Sequence, residues 1–192
     1  MKLKNPSIAT EASRLLQEIE NEVNLAGIQH TAQEAIEPKV RFPRGYIREA
    51  GCFRQKYPCH KRPIANNVAY TLQFHDVLRW LLNRTDIDLT ARQMVIKYGI
   101  VSIYSVIEAI VWTKLSQTRN MPGKKFEKNV GKMQSSGFID QGLAKRLIDV
   151  HKKRGKIHLE LYALKGEEKY DHQDWNNAVE ALEDLRKAVA GD

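Results

Sequence analysis

The stretch from Thr90 to Gln117 decides what this chain can fold into. Val95, Ile96, Ile100, Val101, Ile103, Val106, Ile107, Ile110, Val111 and Trp112 fall on every side of a helical wheel, and Lys97 and Glu108 are the only charges between Arg92 and Lys114. A helix that is apolar all round needs neighbours on each flank, so it belongs at the centre of a bundle. Its longest apolar run, Tyr98 to Ile107, stops at Glu108 and is too short to span a bilayer, so other helices are expected to cover it.

The flanking sequence supplies candidates. Pro63 to Asn83 places Val68, Leu72, His75, Leu78 and Leu82 on one face, and Pro63 suits a first helical turn because it has no N–H to lose there. Thr90 is the expected cap of the central helix. Asp140 is a good N-cap for a long helix whose stripe runs Leu143, Leu147, Val150, Ile157, Leu161 and Leu164. Asp171 to Ala190 repeats Trp175, Val179, Leu182, Leu185 and Val189, and a short helix is expected around Phe126 to Met133. An amphipathic helix is also expected from Ser7 to Leu25, with Gly27 as its stop. Between Pro38 and Pro63 the periodicity fails, with four prolines and two glycines, which predicts a long irregular segment. No segment alternates as a strand does. The fold class is therefore all-α: an antiparallel bundle of four to five helices at 63–192, preceded by a helix and a basic irregular extension at 1–62.

Charge narrows the partners. The chain carries a formal net charge of +8, and the excess is concentrated. Residues 39–63 hold eight Lys and Arg against Glu49, and residues 114–156 hold twelve against Glu127, Asp140 and Asp149, while the rest is neutral or acidic. Segregated positive charge favours a polyanion such as RNA or another nucleic acid. Two cysteines do not make a disulfide framework, and the first residues lack the apolar core of a signal peptide, so a reducing, cytoplasmic setting without a membrane is expected.

One residue breaks the stripe of the Asp140 helix. Arg154 stands where a leucine is expected, and His158 follows one turn later on the same side. A guanidinium is almost never fully buried alone, so Arg154 must meet a carboxylate, a subunit interface or a bound anion. Glu108, the lone carboxylate of the central helix, is the obvious ion-pair partner. Gly155 marks a helix end, a kink or a close approach.

The run Arg154-Gly155-Lys156-Ile157-His158-Leu159, late in a long helix and followed by another amphipathic helix, resembles the signature of the HEPN superfamily, over roughly residues 64–190. The family pattern is an Arg, four to six residues, then a His, often with Asn after the Arg. Here three residues intervene and Gly155 takes the Asn position. Counting from Lys153 gives a spacing of four, and His151 occupies the position one turn earlier. Many members of that family are metal-independent ribonucleases, and others bind RNA or assemble without catalysis. The resemblance implies Arg154 and His158 as catalytic residues, a homodimer whose two motifs face each other, and a toxin or phage-defence role with a possible neutralising protein partner. It implies no metal and no cofactor. Chemically, a histidine that moves a proton and a cation that holds the phosphoryl oxygens suffice for attack of an RNA 2′-hydroxyl on its own phosphate. Lys153 and Lys156 would support Arg154, and Glu108 could orient it.

A second constellation lies at Lys39 to Arg62. Phe42, Tyr46, Phe53 and Tyr57 interleave with Arg41, Arg44, Arg48, Arg54, Lys56, Lys61 and Arg62, as in surfaces that stack unpaired bases. The same residues could instead pin a loop to the bundle. Lys124, Lys125 and Lys128 extend the basic band. Cys52, Cys59 and His60, with His30 at a distance, match no usual zinc spacing, and His75, His151 and His172 have no partner that sequence singles out. Three functions remain open: a metal-independent endoribonuclease, a nonenzymatic nucleic-acid-binding module, or a helical assembly protein.

Overall fold

The computed structural model describes residues 46–57, 59–85, 87–119, 121–155 and 170–190, together with Thr10, Glu11, Arg14, Leu15 and Glu18. The chain divides into two units, Met1–Arg41 and Phe42–Asp192. In the first, the described positions are helical, and Arg14 pairs with Glu11 and Glu18 one turn to either side. The rest of the expected Ser7–Leu25 helix, Gly27 and His30 lie outside the described residues.

The second unit is all-helical among the described residues: α1 (Ala50–Lys56), α2 (Arg62–Arg84), α3 (Leu89–Ser116), α4 (Phe126–Ser135), α5 (Gln141–Gly155) and α6 (His172–Ala190). Helix α3 packs against α2, α4, α5 and α6, as its all-round apolarity requires. By length and composition α3 could cross a membrane, but 67% of its most apolar window is buried among its neighbours. The main core gathers Leu72, Ile103, Ile107, Leu115, Met133, Leu147, Leu182 and Leu185 around it. A smaller core, with Leu78, Ile96, Ile100, Tyr170 and Trp175, closes one end.

Local chemistry explains the boundaries. The Asp140 carboxylate accepts the Leu143 N–H at 2.7 Å, and Asp171 accepts the Asp174 N–H at 2.8 Å, so α5 and α6 start where their side-chain caps stand. Thr90 is not the cap of α3; Asp88 holds that position and Thr90 lies inside the first turn. The α4–α5 turn ends at Gly137 with φ of 73°, a conformation that favours glycine.

The irregular segment expected up to Pro63 instead contains α1, and the second unit begins earlier than residue 63. Arg48 anchors this region. Its guanidinium and backbone N–H bond the Asp76 carboxylate at 2.7 to 3.1 Å, and its planar end lies 4.6 Å from the centre of the Phe53 ring. Asp76 is 0% exposed. Burial pushes its carboxyl upward, but the Arg48 hydrogen bonds together with the positive charges of Arg48 and Arg79 outweigh that effect and hold it below the usual carboxylate range. A run of seven helical residues is too short to show periodicity, and these partners are distant in sequence, so neither was visible there.

The smaller core depends on a missing side chain. A Cβ on Gly99 would stand 2.6 to 2.7 Å from three carbons of the Trp175 ring, so the indole lies against bare backbone. The Trp175 indole N–H donates to His75 Nε2 at 2.7 Å. Burial pushes His75 down to about 4, because a charged imidazole here would lose its water and confront the indole donor.

Two outcomes are expected in urea melts. Gly99→Ala should cost about 1–3 kcal/mol by overpacking, whereas Gly131→Ala, inside α4 with nothing within 4 Å of its Cβ, should stabilise by roughly 0.5–1 kcal/mol. The folded protein resists protonation of His75 and the unfolded chain does not. The stability this supplies is complete above pH 6.5 and is lost as pH falls to about 4. It amounts to on the order of 3 kcal/mol, which His75→Gln should remove from the pH profile.

Candidate nucleic-acid interface

Helices α4 and α5 pack side by side. The start of α4 meets the last turn of α5, because the Phe126 and His151 rings lie 5.0 Å apart and His151 Nε2 stands 3.1 Å from the Glu127 carboxylate. That junction brings Lys124, Lys125 and Lys128 to the same end as Lys152 and Arg154. None of these five cations has an ion-pair partner among the described residues.

Tyr104 of α3 forms the floor. It is buried, and its ring lies 5.2 Å from both Phe126 and His151. The Arg154 guanidinium sits 5.3 Å from the centre of the same ring. Burial raises the Tyr104 hydroxyl above its ordinary range and Glu108 adds to this, while Arg154 opposes it. The Glu127 carboxyl is held below its ordinary range chiefly by its own backbone N–H, with His151 adding to the effect.

The expected ion pair of Arg154 with Glu108 is not formed. Glu108 is exposed on the stripe of α3 that also carries Ser105 and Trp112, and the half-buried Arg154 rests on the Tyr104 ring. Of the three fates open to this guanidinium, an internal carboxylate is removed among the described residues. An anion or an interface remains. Lys153, expected to assist, ion-pairs instead with Asp174 in a cleft of about 280 Å³ between α5 and α6. Lys156 and His158 lie outside the described residues.

The aromatic and basic segment also needs correction. Phe53 and Tyr57 are 2% and 4% exposed and belong to the main core, so they offer no face to a base. Tyr57 donates its hydroxyl to Glu183, which also binds Lys56 at 2.8 Å. Arg48 is committed to Asp76, and Tyr46 lies under Arg79 and Arg84. Arg54 bonds Asn66 at 3.3 Å. Only Arg54, Lys61 and Arg62 of that set are exposed and free of ion pairs, while Arg41, Phe42 and Arg44 lie outside the described residues. The segment pins itself to the bundle.

All three histidines without an expected partner have one: His75 meets Trp175, His151 meets Glu127, and His172 Nε2 lies 2.7 Å from an Arg92 nitrogen. Their partners lie on other helices, which periodicity within one helix cannot register. Cys52 and Cys59 are free thiols, and burial pushes the Cys59 thiol up. No cluster of three metal-ligating side chains occurs among the described residues.

No protein-family model, curated protein or solved structure matches the chain.

Because Arg154 forms no ion pair among the described residues, its removal should be cheap. Arg154→Ala is expected to shift unfolding by less than about 1 kcal/mol, the range of a half-exposed cation–ring contact. Truncating one partner of a buried ion pair would cost about 3–5 kcal/mol. Chemical denaturation decides between the two.

Proposed function

We propose that this chain acts on RNA through the basic end where α4 meets α5, most concretely as a metal-independent endoribonuclease of the HEPN-like kind. The observation that supports it is Arg154, a permanently charged guanidinium held over Tyr104 with no carboxylate partner among the described residues, at the end of the bundle where Phe126 and Glu127 meet His151 and which also carries Lys124, Lys125 and Lys128. A planar guanidinium in that setting can hold two phosphate oxygens at once. The proposed reaction is transesterification. His158 takes the proton of the 2′-hydroxyl, whose oxygen bonds the adjacent phosphorus; the bond to the 5′-oxygen breaks, and His158 returns the proton to that oxygen as it leaves. The products are a 2′,3′-cyclic phosphate and a 5′-hydroxyl end. Arg154 holds the charge gathering on the phosphoryl oxygens. The same reading carries a homodimer, a toxin or phage-defence role with a neutralising protein partner, and a cytoplasmic setting.

One observation favours binding without cleavage. His151, the histidine of this face among the described residues, has Nε2 at Glu127 and a buried Nδ1, so it presents no free nitrogen to a substrate. Proton transfer then rests on His158. If that residue does not supply it, the chain is a nonenzymatic RNA-binding module using the same cations.

End-labelled RNA incubated with the protein in excess EDTA should yield fragments ending in cyclic phosphate. Arg154→Ala and His158→Ala should each lose this activity while keeping wild-type circular dichroism. Replacing Lys124, Lys125 and Lys128 together by Ala should weaken RNA binding and flatten its dependence on salt, with a slope change of about 2 if all three meet phosphates. Intact RNA that is nonetheless bound leaves the binding module. RNA neither cut nor bound rejects both forms.

A further inference from the structure

Once Phe53 and Tyr57 are assigned to the core, a base-stacking ring must come from elsewhere. Trp112 of α3 is 37% exposed, and the Lys61 ammonium lies 5.0 Å from the centre of its ring. Arg62 follows Lys61 on the exposed start of α2. Eight residues earlier along α3, Tyr104 carries Arg154, so the two rings stand about 12 Å apart along the helix axis. Glu108, exposed and without an ion pair among the described residues, lies midway between them along the helix.

This sequence of groups has a chemical direction. Cations stand at both ends, suited to phosphates, and a carboxylate at the midpoint repels one. A carboxylate does accept hydrogen bonds from a base amino group or a ribose 2′-hydroxyl. Tyr70, Phe74 and Tyr98 are exposed too, but none of them has a cation against its face among the described residues. Lys61 does not block Trp112. A cation over an exposed ring contributes about 0.5–1 kcal/mol, whereas a base stacked on an aromatic contributes about 1–3 kcal/mol. A base can therefore displace the ammonium, leaving it beside the following phosphate.

We propose that the RNA is bound single-stranded, with one unpaired base stacked on Trp112, the phosphate beside it on Lys61 and Arg62, a phosphate further along the strand on Arg154, and Glu108 facing a base or ribose between them. This rests on the RNA reading above and specifies its substrate. Paired bases expose no face to the indole, so a duplex would gain only the phosphate contacts.

The test is fluorescence anisotropy with a labelled 2′-O-methyl oligoadenylate, which lacks the attacking hydroxyl, used alone and annealed to its complement. Trp112→Ala is expected to weaken the single strand roughly tenfold and leave the duplex unchanged. Trp112→Phe should stay within about twofold of the wild type, because phenylalanine keeps a stacking face. The oligonucleotide should quench indole emission in the wild type and not in Trp112→Phe. If Trp112→Ala binds the single strand normally, or loses both forms equally, the stacking proposal is overturned. Weakening by the Lys124, Lys125 and Lys128 replacement would then show that the basic-end reading survives alone. If the wild type binds neither form at low salt, both fail.

Discussion

Helix α3 has to be covered on nearly every side, and the other helices are arranged by how they do it. Helices α2 and α6 lie on it over long stretches, and α4 with α5 cover the flank that carries Tyr104. Coverage is incomplete along one line, where Tyr98, Ser105, Glu108 and Trp112 reach the surface at helical spacing. That line contains the residues able to meet a ligand, and its neighbours hold cations at either end. Packing and surface chemistry are thus set by one element, because the groups that cannot be buried in α3 are confined to a single edge.

The helices were readable where a residue's own neighbours specify its fate. The α5 stripe is buried at Leu143, Leu147 and Val150 as its spacing requires, and the Asp140 cap forms because a carboxylate three residues before an amide reaches it. Helix α1 was not readable. Its stability comes from Arg48 on Asp76 and Tyr57 on Glu183, pairings across 28 and 126 residues that no local pattern encodes. The same blindness made Phe53 and Tyr57 look like surface rings among surface cations. Composition marks a basic segment, but it does not say which cations are answered inside the fold.

Arg154 shows the converse case. Its unusual position was visible in the sequence as a gap in an apolar stripe, and it does stand half-buried at the edge of the core. Its neighbour was not visible. Glu108 was the obvious partner by charge, yet the angular position of residue 108 on α3 turns the carboxylate outward, and the aromatic face one turn earlier receives the guanidinium. Charge pairing guessed from a short list of acids fails when geometry offers a ring instead. The basic surface that remains is therefore smaller than the residue count suggests, because Arg48, Lys56, Arg146 and Lys153 each have a carboxylate.

Glu183 receives Lys56 and Tyr57 from the end of α1 and Arg186 from its own helix. The beginning and the end of the helical unit are thereby tied together late in the life of the chain. Tyr57 is synthesised 126 residues before Glu183, so its ring stays without its acceptor until α6 is made. Closing the unit therefore waits for α6, and until then the end of α1 lacks the carboxylate that holds Lys56 and Tyr57.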